Sequence, residues 1–218
     1  MIPYIEGTSI DDTWRQLLTL CWHHGIDYKI ERGSYKGEIR RQLPQISFKI
    51  QYPWSIPLAP IMPPNSGFCP TDEEKINDYF VKYLLSDELE KNEEYTYGSY
   101  ITPQLNKVIQ ILNESEGNTN QACIAVCNEE SIELPDPPCL RHIQFIKIDD
   151  KLAMSIFFRS WDLVCGLPQN LGGLQLLKEY MLSNLTFKIE DGPIYGYSSG
   201  LHIYSQYFDV IRGLILNG

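Results

Sequence analysis

Residues 140–160, LRHIQFIKIDDKLAMSIFFRS, constrain the fold more than any other stretch of the chain. Apolar residues alternate through LRHIQFIKI and recur through KLAMSIFFRS, as in strands with a buried face, and the polar IDDK between them reads as a turn. Two strands joined this way make an antiparallel hairpin. Further strands are expected in IDYKIER, in QISFKIQY (Ile46, Phe48 and Ile50 on one face), in ACIAVC, in LTFKIEDGPIYGY and in LHIY.

Helical periodicity fills the intervals. Asp11 or Asp12 can cap a helix whose Trp14, Leu17, Leu18, Cys21 and Trp22 share a face, with Gly25 ending it. Thr71 and Glu74 read as a capping box for a helix running to about Leu85. GSYITPQLNKVIQILNES turns Leu105, Val108, Ile109 and Leu112 inward, and QNLGGLQLLKEYMLSN buries Leu171, Leu174, Leu177 and Met181. SQYFDVIRGLIL forms a last helix, whereas YPWSIPLAPIMPPN is too rich in proline for regular structure. No repeat or linker breaks the pattern. Residues 1–218 are therefore expected to form one α+β domain, with helices packed on a largely antiparallel or mixed sheet.

With 28 acidic and 18 basic residues the net charge is −10, which argues against nucleic acid or an anionic membrane as the main partner. A small anion needs only a few local arginines and stays open. No run has the length of a membrane span, and MIPYIEGTSIDD lacks the pattern of a secretion signal. A cytoplasmic address follows as the expectation, with the six cysteines as thiols. His23-His24 and the Cys123/Cys127 pair fit no metal spacing and read as structural; no metal is expected.

Three clusters carry candidate chemistry. In DPPCLRHIQF, Pro137 and Pro138 present Cys139 on a rigid approach, useful for a nucleophile that must be held in place. A cysteine is more often one more buried side chain, but Arg159 ends the next strand, toward the same end of the sheet. In RSWDLVCGLPQN, Arg159 offers a fork of donors to a phosphate, Ser160 adds a hydroxyl, and Asp162 and Asn170 can read the edge of a base. The plainer alternative is a polar loop whose asparagine caps the following helix. In GLHIYSQYFD, His202 and Tyr204 lie on one face of a strand and can grip a sugar hydroxyl, or can simply be a half-buried pair.

Taken in order, these clusters resemble the thymidylate synthase family. Pro138-Cys139-Leu140-Arg141-His142-Ile143-Gln144-Phe145 resembles its Pro-Cys-His-x-x-x-Gln-Phe segment. Arg159, Ser160, Asp162, Gly166, Pro168 and Asn170 match its Arg-Ser-x-Asp-x-x-x-Gly-x-Pro-x-Asn block, and His202, Tyr204 and Ser205 its His-x-Tyr-Ser. Tyr97-Gly98 and the length are similar to the short archaeal-type branch, and Arg32 in ERGSYKGE stands where the family has a phosphate-loop arginine. The resemblance implies a homodimer joined through its sheet. It also implies one-carbon transfer to C5 of a pyrimidine nucleoside monophosphate, dUMP first, with methylene-tetrahydrofolate or a related reduced pterin.

The same resemblance assigns roles. Cys139 would add to C6 of the base as a thiolate that forms more readily than those of the other five cysteines, aided by Arg159. Arg32, Gln144, Arg159, Ser160, Asn170, His202 and Tyr204 would hold the nucleotide, Asp162 and Gly166 the cofactor, and Tyr97 a proton relay. Departures from the pattern are Leu140 in place of histidine, neutral Asn120-Gln121 where the family carries paired arginines that cross the dimer, and an end at RGLILNG without the closing tail. They keep two alternatives open: hydroxymethylation of dUMP or a cytidine monophosphate at C5, and a nucleotide-binding protein without turnover.

Overall fold

In a computed structural model that describes residues 3–64, 66–91 and 93–216, the expected hairpin lies inside a six-stranded sheet. The strands are β1 (Tyr4–Gly7), β2 (Ile26–Lys29), β3 (Ile39–Leu43), β4 (Ile46–Ile50), β5 (Cys123–Ala125), β6 (Leu140–Ile148), β7 (Lys151–Phe158), β8 (Trp161–Asp162), β9 (Glu190–Ser198) and β10 (Leu201–Tyr204). The α-helices are α1 (Ile10–His24), α2 (Glu73–Asp78), α3 (Gly98–Glu114), α4 (Gly166–Ser183) and α5 (Phe208–Leu216). The end at 217–218, on which the reading of a short C-terminus rests, lies outside the described residues.

Strands β6 and β7 pair antiparallel through a turn in which Asp149 adopts φ 53°, as the alternating pattern predicts. The large sheet runs β1-β4-β9-β7-β6-β5, with β1–β4 and β7–β9 parallel and its other pairs antiparallel. A second sheet, β2-β3-β10-β8, was not separable in the sequence, because β3 (IRRQL) and β8 (WD) lack an alternating apolar face.

Two helix starts differ from expectation. Ser9, in extended conformation, caps α1 by accepting from Asp12 N at 3.2 Å, while the Asp12 carboxylate turns back to Thr8 N at 2.7 Å. Asp72, not Thr71, caps α2 by accepting from Lys75 N at 2.8 Å. The helix expected to reach Leu85 is α-helical only to Asp78 and then widens into a π-helical turn, Tyr79–Leu84.

Helices cover one face of the large sheet. Phe48, Ile143, Phe145, Met154, Ile156 and Ile194 are buried there with Trp14, Leu105, Leu171 and Leu174. On the opposite face His142, Gln144, Ser155, Phe157, Tyr195 and Tyr197 are only half-buried, and Phe157 packs beside Tyr197 at 5.2 Å between ring centroids. No described helix is long and apolar enough to cross a membrane.

Candidate active site

Cys139 sits just before β6, and its carbonyl accepts from Arg159 N at 2.9 Å just beyond β7. The hairpin thus brings the two to one end of the sheet, as their spacing suggests. The prolines do more than stiffen the approach. Their carbonyls accept from the Arg159 guanidinium, Nε donating to Pro138 O at 3.0 Å and Nη2 to Pro137 O, and Asp136 pairs with it at 3.5 Å. The segment therefore positions the cation as well as the sulfur.

Cys139, Arg159, Ser160, Asp162, His202 and Tyr204 line one cavity of ≈ 180 Å³, which Arg32 closes. Arg32 belongs to a loop between β2 and β3 that needs glycine at two places, Gly33 (φ 91°) and Gly37 (φ 98°). The loop lies over the cavity: Tyr35 stacks on Tyr204 at 4.2 Å, and Ser34 Oγ donates to Asp136 at 3.0 Å. Sequence reasoning missed Ser34, Tyr35, Asp136 and Arg40, which also line the cavity. The Asp136 position, next to the prolines, was a usable signal; Arg40 was not, since its strand went unrecognised.

Burial pushes the Cys139 thiol above its ordinary value. Arg159 pulls it down, Asp136 opposes that, and Arg141 and Arg40 add smaller pulls toward the anion. This corrects the expectation of a readily formed thiolate: where Cys139 is buried, desolvation outweighs the arginine. Burial likewise lowers His202 to about 4, so its ring is neutral at pH 7. Its Nδ1 faces Gly200 O at 2.8 Å and must carry the proton there, which leaves Nε2 as a bare acceptor. Nε2 is buried without a hydrogen-bond partner, in a residue that lines the cavity.

The remaining expected residues sit around this cavity or apart from it. Asp162, not Asn170, holds the start of α4: its carboxylate accepts from Val164, Cys165 and Gly166 N at 3.0, 3.3 and 3.0 Å. Burial still raises its pKa, against those three bonds. Gly166 allows this turn, because a Cβ there would stand 3.2 Å from Asp162 Cβ. Asn170 Oδ1 accepts from Trp161 Nε1 at 2.9 Å, its side chain also interacts with the Tyr79 hydroxyl, and it does not line the Cys139 cavity. Tyr97 is buried behind the cysteine, its hydroxyl accepting from Leu140 N at 3.2 Å. Gln144 lies away from the cavity, on the open face of the sheet, where its amide donates to Asn120 O at 2.9 Å.

A chain of grooves leads outward. One of ≈ 330 Å³ shares Ser34 and Asp136 with the Cys139 cavity, and a further one of ≈ 360 Å³ continues from it through Tyr83 and Glu93. Tyr79 and Tyr83, stacked at 5.5 Å, and Gln169 form the inner part of the outermost groove. The Tyr79 hydroxyl is buried, with the Asn170 side chain beside it. Asp78, Glu88, Glu90 and Glu93 line the rest, and Lys82 there is paired to Asp78 at 2.6 Å.

Residues 86–216 match the family described as thymidylate synthase. Along its length the chain is similar to a protein named "Putative thymidylate synthase" in Methanosarcina mazei, 27% identical over 217 residues that cover 97% of this chain and 94% of the relative. A protein of the same name in Methanopyrus kandleri is 25% identical over 208 residues, 93% of each chain. In three dimensions the fold is similar to the thermostable thymidylate synthase A from Bacillus subtilis, with TM-score 0.69 and 15% identity over 94% of this chain and 83% of that one.

Proposed function

The chain belongs to the thymidylate synthase family, and from that premise we propose that it transfers a one-carbon unit to C5 of dUMP through a covalent bond between Cys139 and C6. As a thymidylate synthase-like transferase it acts on C5 of a pyrimidine nucleotide. The observation that carries the proposal is one cavity holding a cysteine, three arginines and the unpartnered Nε2 of a neutral histidine.

Nucleotide binding follows from the donors and acceptors present. Arg159 and Arg32 receive the phosphate, with Ser160 beside them. His202 Nε2 accepts from a sugar hydroxyl, and Tyr204, held by Tyr35, supplies a second sugar contact. The amide nitrogen of Asn170 donates to O4 of uracil in exchange for its interaction with the Tyr79 hydroxyl; the amino group of cytosine at that position would meet another donor.

In the chemical step Cys139 Sγ, once deprotonated, bonds to C6, and the C5–C6 electron pair moves onto C5 and O4. C5 then bonds to the one-carbon unit, the C5 hydrogen leaves as a proton, and the bond from that carbon to its carrier would break with the electron pair leaving on the carrier; addition of hydride to the exocyclic carbon would then re-form C5=C6, break the C6–S bond and return the thiolate. Tyr97 relays a proton, a role supported by the bond its hydroxyl accepts from the backbone next to Cys139. A reduced pterin of the methylene-tetrahydrofolate type supplies the carbon and, for a methyl product, a hydride. The groove residues fit its ring: Tyr79 and Tyr83 offer aromatic faces, and Asp162 stands at the inner end.

Incubation with C5-tritiated dUMP and dCMP tests the assignment. Tritium is expected from dUMP; release from dCMP alone would overturn the reading of Asn170, and a hydroxymethyl product would change the reaction to hydroxymethylation.

The protein acts in the cytoplasm as a single domain, and a second copy covers the half-buried face of the large sheet. The double substitution Phe157→Lys, Tyr197→Lys places two charges in that face and is expected to give monomers by light scattering. A wild-type monomer would sink this part of the proposal alone.

A further inference from the structure

Arg141 follows Cys139 by two residues. Its neighbours Leu140 and His142 pair with Phe158 and Phe157, which are consecutive, so Arg141 is an inserted residue in β6. A bulge of this kind turns a side chain out of the strict alternation of a strand. Here it delivers Arg141 to a cavity of ≈ 260 Å³ that Arg32, Arg159 and Asp136 also line. Those last three line the Cys139 cavity as well, so the two spaces adjoin.

The charge around this second space is unbalanced. Three guanidinium groups face a single carboxylate, in a chain whose net charge is −10. That carboxylate is engaged, pairing with Arg159 and accepting from Ser34 Oγ. Among the described residues neither Arg32 nor Arg141 has an ion pair or side-chain hydrogen bond. Two guanidinium groups without an ion pair, both lining one small concave space, suit the binding of an anion.

We propose that Arg141, re-aimed by the bulge, binds the phosphate dianion of the nucleotide, and that Arg32, Arg141 and Arg159 together complete this subsite within one chain. The assignment rests on the nucleotide reading above. It makes an arginine borrowed from a second copy unnecessary.

The test compares wild type with Arg141→Gln and Arg141→Lys for binding of dUMP, deoxyuridine and inorganic phosphate. Arg141→Gln is expected to weaken dUMP and inorganic phosphate by roughly tenfold or more while leaving deoxyuridine unchanged, and the lysine to recover part of the loss. Equal losses for nucleotide and nucleoside, or unchanged phosphate binding, would overturn the proposal. Mixed dimers of Arg141→Gln with Cys139→Ser chains decide whether the arginine acts within its own chain: they are expected to stay impaired at low dUMP, and restored activity would refute the one-chain site. Wild-type protein that binds phosphate through Arg141 yet exchanges no C5 hydrogen would instead sink the transferase reading and leave this one standing.

Discussion

Replacing Cys139 by serine is expected to reduce tritium release from C5 of dUMP by on the order of 10⁴-fold, with nucleotide binding nearly unchanged. The exchange of sulfur for oxygen is close to isosteric, and Cys139 packs at the edge of the core without a hydrogen bond from its side chain that the fold depends on. A hydroxyl needs a base before it can attack, and the neighbouring His202, lowered to about 4, is a poor one. Mass spectrometry with 5-fluoro-dUMP gives an independent readout: wild type should gain a covalent adduct and Cys139→Ser should not. Exchange that survives the substitution within tenfold would remove Cys139 from the mechanism. Since burial holds the thiol protonated, exchange by the wild type is also expected to climb as pH rises above neutrality.

The largest effect on stability is expected away from the site, at Asp191→Asn. Lys178 of α4 is fully buried, pairs with Asp191 at 2.7 Å, donates to Gly192 O and lies over the Trp54 ring at 5.7 Å. Gln175 holds the same carboxylate at 2.7 Å. Removing one member of a buried pair strands the other, at a cost of about 3–5 kcal/mol, or roughly 6–20 °C in melting temperature for a chain of this size. Replacing both, as Lys178→Met with Asp191→Leu, should cost far less.

The pH dependence of this effect has a definite sign. Burial lowers Lys178 from 10.5 to about 8, with Asp191 acting against it. Between those values the unfolded chain holds more protons, so this group makes stability rise from about pH 8 toward 10.5, and below 8 its protonated form is the disfavoured one. Without Asp191 the lysine falls further. The deficit of Asp191→Asn should therefore be greatest near neutral pH and shrink toward pH 10, as denaturant titrations at several pH values would show. A deficit independent of pH would mean the pair acts through packing alone.

Much of this molecule can be read from local pattern. The β6–β7 hairpin follows from alternation, and the inner faces of α1, α3 and α4 follow from helical spacing, because burial of one face sets both periods. Local pattern fails where the partner is distant. Nothing near Asp162 says that its carboxylate will be spent on the start of α4, or that Asn170 will instead receive the indole of Trp161. β3 escapes because its five residues, IRRQL, gain their pairing from β2 and β10 rather than from an apolar face. The thiol of Cys139 shows a third kind of failure: the cation beside it is legible in the spacing, but the desolvation that outweighs it belongs to the finished fold.

The order of strands also fixes when the protein can exist during its own synthesis. β9 lies in the middle of the large sheet, between β4 and β7, yet it is completed only at Ser198. Until then Ile46, Phe48 and Ile50 of β4 have β1 on one side and nothing to pair with on the other. At translation rates of about 5–20 residues per second the interval between the two strands is on the order of 10 s, long compared with the collapse of a nascent chain. A ribosome stalled within α4 would therefore present a half-built sheet with an apolar strand edge, a substrate for chaperones and proteases rather than a smaller working protein.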